Sequence, residues 1–249
     1  EGAEEGEATL PTRGVKFNSS MAWIDPSLAK PKTVDALRWT RDLLKATRDR
    51  KPELHCYGLH EWAMLYHPED SQNPPPKKYQ DLPLRISQAE LNSAVTEGTP
   101  IRCTHFDAFR FFTPDAKGFN DIQPTREMQP SIEQPGCLHA NMDLFKWSVK
   151  LFPWIPSSLL HQTLLLAIKA RTLDMRASPY DVQRVGKEAE IDASIDLSPV
   201  RIETPGGRAI YQKLQADLWR EAIPIRDQVI EAYDRFLAEH DGTHELDEP

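Results

Sequence analysis

Apolar side chains recur at helical spacing after Thr33, a residue type that caps helices, at positions Val34, Leu37, Leu43 and Leu44. This pattern predicts a helix over residues 33–48. Similar spacing predicts further helices at residues 59–66, 87–95, 140–151, 157–175 and 207–239. Pro224 lies inside the last of these, where proline removes a helical hydrogen bond, so we expect it to bend or break that helix.

Two short apolar runs, residues 84–86 and 101–103, are typical of strands. The helix between them begins at Ser87, and Glu90 completes a capping-box pattern. Residues 112–136 contain prolines and no clear period, and their aromatic flanks favour a long ordered loop. Together, these patterns predict an α+β fold that is mostly α-helical with a few short strands.

Acidic residues are concentrated at both ends of the chain. We therefore divide it into an acidic tail and flexible arm (residues 1–30), one globular domain (31–240) and an acidic C-terminal tail (241–249). A chain of 249 residues can bury a hydrophobic core without disulfides. Residues 184–198 are polar and have the character of an insertion within that domain.

The overall composition narrows the possible partners and compartment. The longest apolar run, residues 164–168, is too short to span a bilayer, so we expect no membrane insertion. A net charge of −8 does not provide the positive field that attracts duplex DNA non-specifically. Three cysteines cannot all pair, which favours a reducing, intracellular location in the cytoplasm or an organelle matrix.

Several common catalytic motifs are missing from the sequence. It has no glycine-rich phosphate loop, no nucleophile elbow and no dinucleotide-binding fingerprint. His60 and Glu61 begin a zincin-like string, but Met64 occupies the position of the second histidine. The zinc-deaminase pattern fails as well, because Pro-Cys-x-x-Cys is absent.

Each of the three cysteines has a histidine two or four residues later, in the pairs Cys56 and His60, Cys103 and His105, and Cys137 and His139. Thiolate and imidazole together suit a transition metal such as zinc or copper, which would be the cofactor of this chain. The alternative is structural, since a buried cysteine packs as a small apolar residue and a core histidine is usually hydrogen-bonded. The pattern leaves both interpretations open.

Charged residues occur among aromatic residues and prolines in the same part of the chain. His105, Asp107, His139 and Asp143 are equally consistent with chemistry and with a buried polar network, because charges in apolar surroundings are usually paired or functional. For Asp174, Arg176, Arg201 and Glu203, a structural network that joins helices is the better interpretation.

Long strings between residues 55 and 235 resemble a bacterial family: GLHEWAM at 58–64, LPLR at 82–85, RCTHFDAFRFFTP at 102–114, PTRE at 124–127, EQPGCLHA at 133–140, MDL at 142–144, LDMRASPYD at 173–181 and PVRIETP at 199–205. Members of this family are commonly labelled 3-methyladenine DNA glycosylase, and they are not of the helix-hairpin-helix type. The resemblance implies hydrolysis of the N-glycosidic bond of an alkylated purine, with a nucleic acid or a nucleobase-containing compound as substrate.

Under this resemblance, a carboxylate stabilises the oxocarbenium-like sugar and orients water, a role for Asp107 or Asp143, with His105 beside them. An electron-poor purine would stack on aromatic rings such as Trp62, Phe109 or Phe112. Residues for the remaining substrate and phosphate contacts are Arg102, Arg110, Arg126 and Asn141.

Two other functions remain open on the sequence alone. The Cys and His pairs could form a metal or cofactor site in another enzyme or a sensor of a small molecule. The acidic ends and the proline-rich loop could instead belong to a non-catalytic subunit of a larger protein assembly. Both site hypotheses require that six side chains come together, namely His60, His105, Asp107, Cys137, His139 and Asp143.

Overall fold

The computed structural model describes residues 14–17, 21–76 and 82–245. Its helices are α1 (Pro31–Arg48), α2 (Leu59–Ala63), α3 (Gln88–Glu97), α4 (Phe106–Phe109), α5 (Pro114–Lys117), α6 (Gln129–Ile132), α7 (Leu138–Leu151), α8 (Ser157–Ala177), α9 (Val182–Glu188) and α10 (Pro205–Glu245). Strands β1 (Val15–Phe17) and β2 (Ala22–Ile24) form an antiparallel hairpin in which Val15 is opposite Ile24. The predicted fold class, mostly α-helical with a few short strands, is confirmed.

The core is formed by four long helices, with α7 packed on α8, and α10 in contact with α8, α1 and α7. Their apolar faces bury Leu43, Leu144, Leu166 and Val229 almost completely. Removing one such side chain from water contributes roughly 1.5–3 kcal/mol, so these faces hold the helices together. The Tyr233 hydroxyl of α10 adds a hydrogen bond of 2.8 Å to the Trp147 carbonyl of α7.

Helix α10 begins at Pro205, where proline is well tolerated, and the Thr204 hydroxyl accepts a hydrogen bond from the Gly207 N–H at 3.0 Å. The helix continues through Pro224, so the predicted break there is wrong. Packing against α1 on one side and α8 on the other compensates for the hydrogen bond that proline removes.

Between α1 and α7 the chain is mostly irregular, and its short helices α2 to α6 are separated by loops. The strands predicted at residues 84–86 and 101–103 are wrong, because each contributes a single bridge, Leu84 to Tyr180 and Ile101 to Asn120. The Asn120 side chain fixes the second segment by bonding the backbone N–H and carbonyl of Cys103, both at 2.9 Å. Helices α5 and α6 lie within the loop predicted at residues 112–136.

The described part of the predicted N-terminal arm forms the β1–β2 hairpin and a 3₁₀ turn, Pro26–Leu28. Gly14 is buried against the Trp154 ring, where a Cβ atom would come within 2.6 Å of that ring. Residues 1–13 and 246–249, which include most of the predicted acidic tails, lie outside the described residues. The division into tails and one domain stays a prediction. In the described ranges, no helix is both long and apolar enough to cross a membrane.

Candidate functional site

Three side chains from helices and one from the loop before α2 meet in the interior, and we call them the inner cluster: Cys56, His60, His139 and Asp174. His60 lies on α2, His139 in the first turn of α7 and Asp174 in the last turn of α8. The His60 Nε2 atom is 2.8 Å from Asp174 Oδ1, and its Nδ1 atom is 3.2 Å from Cys56 Sγ. The His60 and His139 rings meet edge to face at 4.6 Å.

The local chain conformation positions His60. Tyr57 and Gly58 have φ values of 51° and 76°, so the backbone turns through the left-handed region between Cys56 and α2. Glycine adopts this conformation without the steric cost that a Cβ atom brings. The turn places the Cys56 sulfur against the ring of His60, which is four residues later in the chain.

Asp174 is fully buried and paired on both carboxylate oxygens. Its Oδ2 accepts a hydrogen bond of 2.6 Å from Arg171 Nη1, which also donates to Glu61 Oε1 at 2.8 Å. Burial opposes the charge on Asp174, but His60 and Arg171 outweigh it and hold the pKa of this carboxyl well below its usual range. The carboxylate is therefore ionised inside the protein.

Burial and the neighbouring His60 ring lower the pKa of His139 to about 3, so this imidazole is neutral. Burial acts in the same direction on His60, but Asp174 and Cys56 outweigh it and raise the pKa of His60 well above its usual value. The cluster thus combines one neutral imidazole with one imidazole that is coupled to a carboxylate.

The other two cysteines lie close by with different partners. The Cys103 thiol contacts that of Cys56, and its Sγ is 3.7 Å from the His105 carbonyl. Cys137 is the residue before α7, and burial raises the pKa of its thiol. The structure therefore brings the predicted metal-binding residues into one region, although their role as ligands stays a prediction.

A second group of side chains lies closer to the surface, and we call it the outer cluster: His105, Asp107, Asp143 and Lys146. His105 precedes α4 and Asp107 lies in its first turn, while Asp143 and Lys146 are three residues apart on α7. The His105 Nε2 atom is 3.3 Å from Asp143 Oδ2. Lys146 Nζ bridges the two carboxylates, at 2.5 Å from Asp143 and 3.5 Å from Asp107.

Cations and aromatic rings surround the outer cluster. Arg110 and Arg126 contact Asp107 Oδ1 at 3.5 and 3.0 Å, and both guanidinium groups are about half exposed. Arg126 also lies over the Phe106 ring, and Arg110 over the exposed Phe111 ring. Burial opposes ionisation of Asp143, but the contacts with His105 and Lys146 outweigh it and lower its pKa.

One ring stack connects the two clusters, because the His105 and His139 rings lie nearly parallel at 5.2 Å. His105 Nε2 is also 3.7 Å from Glu133 Oε2, a buried carboxylate that accepts a hydrogen bond from Gln129 at 2.7 Å. The sequence predicted that six side chains come together, and five of them, His60, His105, Asp107, His139 and Asp143, are connected by these contacts. The sixth, Cys137, is at the start of α7, two positions before His139.

Four of the predicted substrate contacts lie in the core. Trp62 is 0% exposed, its Nε1 donates to the Ala177 carbonyl at 2.8 Å, and Phe109 is buried as well. Asn141 is buried and accepts a hydrogen bond of 2.6 Å from Arg226. These side chains leave no face open for a base, so we correct their assignment from substrate binding to packing. Phe112 is buried in the same way.

The three predicted arginines remain accessible. Arg110 and Arg126 border the outer cluster, whereas Arg102 lines a surface cavity of about 350 Å³ together with Thr104, Asp121 and Gln134. Thr104 directly precedes His105, and Gln134 follows Glu133, so this cavity opens next to the segments that carry the outer cluster.

Sequence reasoning missed the contact of Asp174 with His60 and the contacts that Arg171 and Lys146 make in the two clusters. Asp174 was assigned to a structural network, and its partner His60 is 114 positions away in the chain. Lys146 could have been found from its spacing, since a lysine three residues after Asp143 on a helix lies on the same face.

No family model, no curated protein and no solved structure matches this chain.

Proposed function

We propose that this chain is an N-glycosylase-like hydrolase that releases an alkylated purine at the outer cluster. The observation that carries the proposal is the environment of Asp143, whose side chain is 14% exposed and is held between His105 and Lys146. These contacts keep the carboxylate ionised and fixed at the edge of the protein. The resemblance of residues 55–235 to the glycosylase family supports the same reaction.

The chemistry needs a negative charge beside a developing cation. In an alkylated purine nucleotide the C1′–N bond breaks, its electron pair goes to the positively charged base, and the base leaves neutral. The sugar then becomes an oxocarbenium ion, which the Asp143 carboxylate stabilises. Water adds to C1′, and its proton passes to the Asp143 and His105 pair.

The rim of the outer cluster suits the rest of such a substrate. Arg110, Arg126 and Lys146 are positioned to contact phosphate oxygens. Phe111 is 47% exposed and offers an accessible ring on which an electron-poor base can stack. The protein as a whole is acidic, so this local group of cations would provide the attraction that its net charge does not.

The test is release of free base from DNA that carries N-methylated purines, measured by chromatography in single-turnover reactions. We expect Asp143→Asn to reduce the rate by roughly 100-fold or more, because it removes the charge that stabilises the transition state. The matched control is Asp234→Asn. Asp234 is a partly exposed carboxylate on α10 that pairs with Lys45, and neither residue belongs to the two clusters. Equal rates for Asp143→Asn and wild type, or no base release by wild type, would refute the proposal.

A further inference from the structure

The inner cluster has a ligand set that the glycosylase proposal does not use. We propose that it binds one divalent first-row transition ion through His60, His139 and Asp174. One ligand atom from each of these residues lies within 4.8 Å of the others. Two imidazoles and one carboxylate leave coordination positions for water or substrate, as in catalytic zinc and non-haem iron sites.

The distances suit an ion between these groups. Nitrogen and oxygen ligands lie about 2.0–2.2 Å from zinc, so neighbouring ligand atoms are separated by roughly 3 Å. His60 Nε2 and Asp174 Oδ1 are 2.8 Å apart, and the two histidine rings are 4.6 Å apart between centroids. A small shift of His139 would bring its nitrogen to the same centre, and the ion would replace the hydrogen bond between His60 and Asp174.

Outer contacts orient two of the three ligands. Cys56 Sγ is 3.2 Å from His60 Nδ1, so Nδ1 keeps a proton directed at sulfur, and Nε2 is the atom that would release its proton to bind the ion. Arg171 holds Asp174 Oδ2 at 2.6 Å, so Oδ1 remains directed towards His60. Metal sites in proteins are built with outer partners of this kind, because they fix the tautomer and the ring orientation.

The charge balance around the cluster favours a cation. Glu61 and Asp174, both buried, share the single guanidinium of Arg171. In the absence of an ion the His60 ring also pairs with Asp174. An ion on His60 Nε2 would displace the proton there, so the two carboxylates would then face one guanidinium in a low-dielectric interior. A bound dication would offset the resulting negative charge directly.

The first measurement is a calorimetric titration of the metal-free full chain with Zn²⁺ and, under anaerobic conditions, with Fe²⁺. We expect one equivalent of at least one of these ions to bind. His139→Ala should weaken that binding by roughly 100-fold or more, since even outer partners change affinity by 10–100-fold. The matched control His161→Ala removes an exposed histidine on α8, the helix of Asp174, and should bind like wild type. The absence of binding by wild type, or equal binding by His139→Ala, would overturn the proposal.

A second measurement needs no variant and keeps the test valid if His139→Ala does not fold. X-ray absorption at the metal edge of loaded wild-type protein should show imidazole scattering from two rings and light first-neighbour atoms. A first shell dominated by sulfur would overturn the assignment, because the ion would then bind the cysteines. Base release by metal-free protein is measured separately, so failure of either proposal can be distinguished from failure of the other.

Discussion

The inner and outer clusters both pair a histidine with an aspartate, but they differ in their access to water. In the inner cluster the His60 and Asp174 side chains are 3% and 0% exposed, and every charge has a fixed partner. In the outer cluster Asp107, Lys146 and Arg126 all remain partly exposed. Water and salt screen interactions at the surface, whereas buried pairs are screened much less.

Similar ion pairs therefore contribute differently to stability in the buried and in the exposed cluster. Removing one partner of a buried ion pair leaves an uncompensated charge, which costs about 3–5 kcal/mol. Removing one partner of an exposed pair costs about 0–1 kcal/mol, because water solvates the remaining charge. We therefore expect the inner cluster to hold the fold together and the outer cluster to be tolerant of substitution. Substitutions at Asp174 and Lys146 test this difference, and the partly buried pair of Arg85 and Glu203 provides an intermediate case.

The largest effect is expected for Asp174→Ala, which removes the carboxylate partner of both His60 and Arg171. The free energy of unfolding should fall by about 3–5 kcal/mol in metal-free protein, measured by urea denaturation. Asp107→Ala serves as the control in the outer cluster and should cost less than about 1 kcal/mol. Similar decreases in the free energy of unfolding for the two variants would contradict the expected difference between the clusters.

An intermediate effect is expected for Arg85→Gln, because the Arg85 and Glu203 pair is only partly buried. Arg85 donates two hydrogen bonds to Glu203, at 2.6 and 2.8 Å. At pH 7 the substitution should cost about 2 kcal/mol. The variant Arg184→Gln, which changes an exposed arginine of α9, should cost much less.

The same pair predicts a pH dependence. Burial acts to raise the pKa of Glu203, but Arg85 outweighs it and the pKa is lower in the folded state than in the unfolded state. The stabilisation is therefore fully present above the unfolded pKa, 4.5, and is lost as the pH falls through the folded pKa. The stability difference between wild type and Arg85→Gln should shrink over that acidic range, and a constant difference down to the folded pKa would contradict this account.

The smallest change in stability, under about 1 kcal/mol, is expected for Lys146→Met at the rim of the outer cluster. The pKa of Asp143 should nevertheless rise, because the Lys146 ammonium helps to keep this carboxylate ionised. Carboxyl ¹³C NMR titration would measure the change, with Lys169→Met, an exposed lysine on α8, as the control. An unchanged Asp143 titration would show that Lys146 does not act on this carboxylate.

The sequence predicted the long helices well and the irregular middle poorly. The apolar positions of α1, α7 and α8 recur every three or four residues because one face of each helix is buried, and this period is visible in the chain. Ile101 and Leu84 are apolar because the first belongs to the hydrophobic core and the second packs against it, but each makes only a single backbone bridge. A short apolar run does not distinguish such a segment from a strand.

For the candidate site, the sequence indicated the region but not the partners. Cys56 and His60 are four residues apart, and that spacing predicted a shared helical face. Their contact is observed, but Cys56 lies before α2 and a left-handed turn at Tyr57 and Gly58 makes it. The contact of Asp174 with His60 and the contact of Arg226 with Asn141 could not be predicted, because they depend on how α8 and α10 pack. Trp62 was predicted as a stacking platform from its type alone, and only the packed structure shows that it is buried.

Helix α7 carries residues of both clusters, and His139 of the inner cluster and Asp143 of the outer cluster are four positions apart on the same face. Hydrogen bonds from α10 hold this helix near both ends, at Asn141 and at Trp147. A ligand that moved α7 from one cluster would therefore move the other as well. If an ion at His139 changes the affinity for a substrate at Asp143 by some factor, the substrate must change the affinity for the ion by the same factor, because binding free energies are coupled reciprocally.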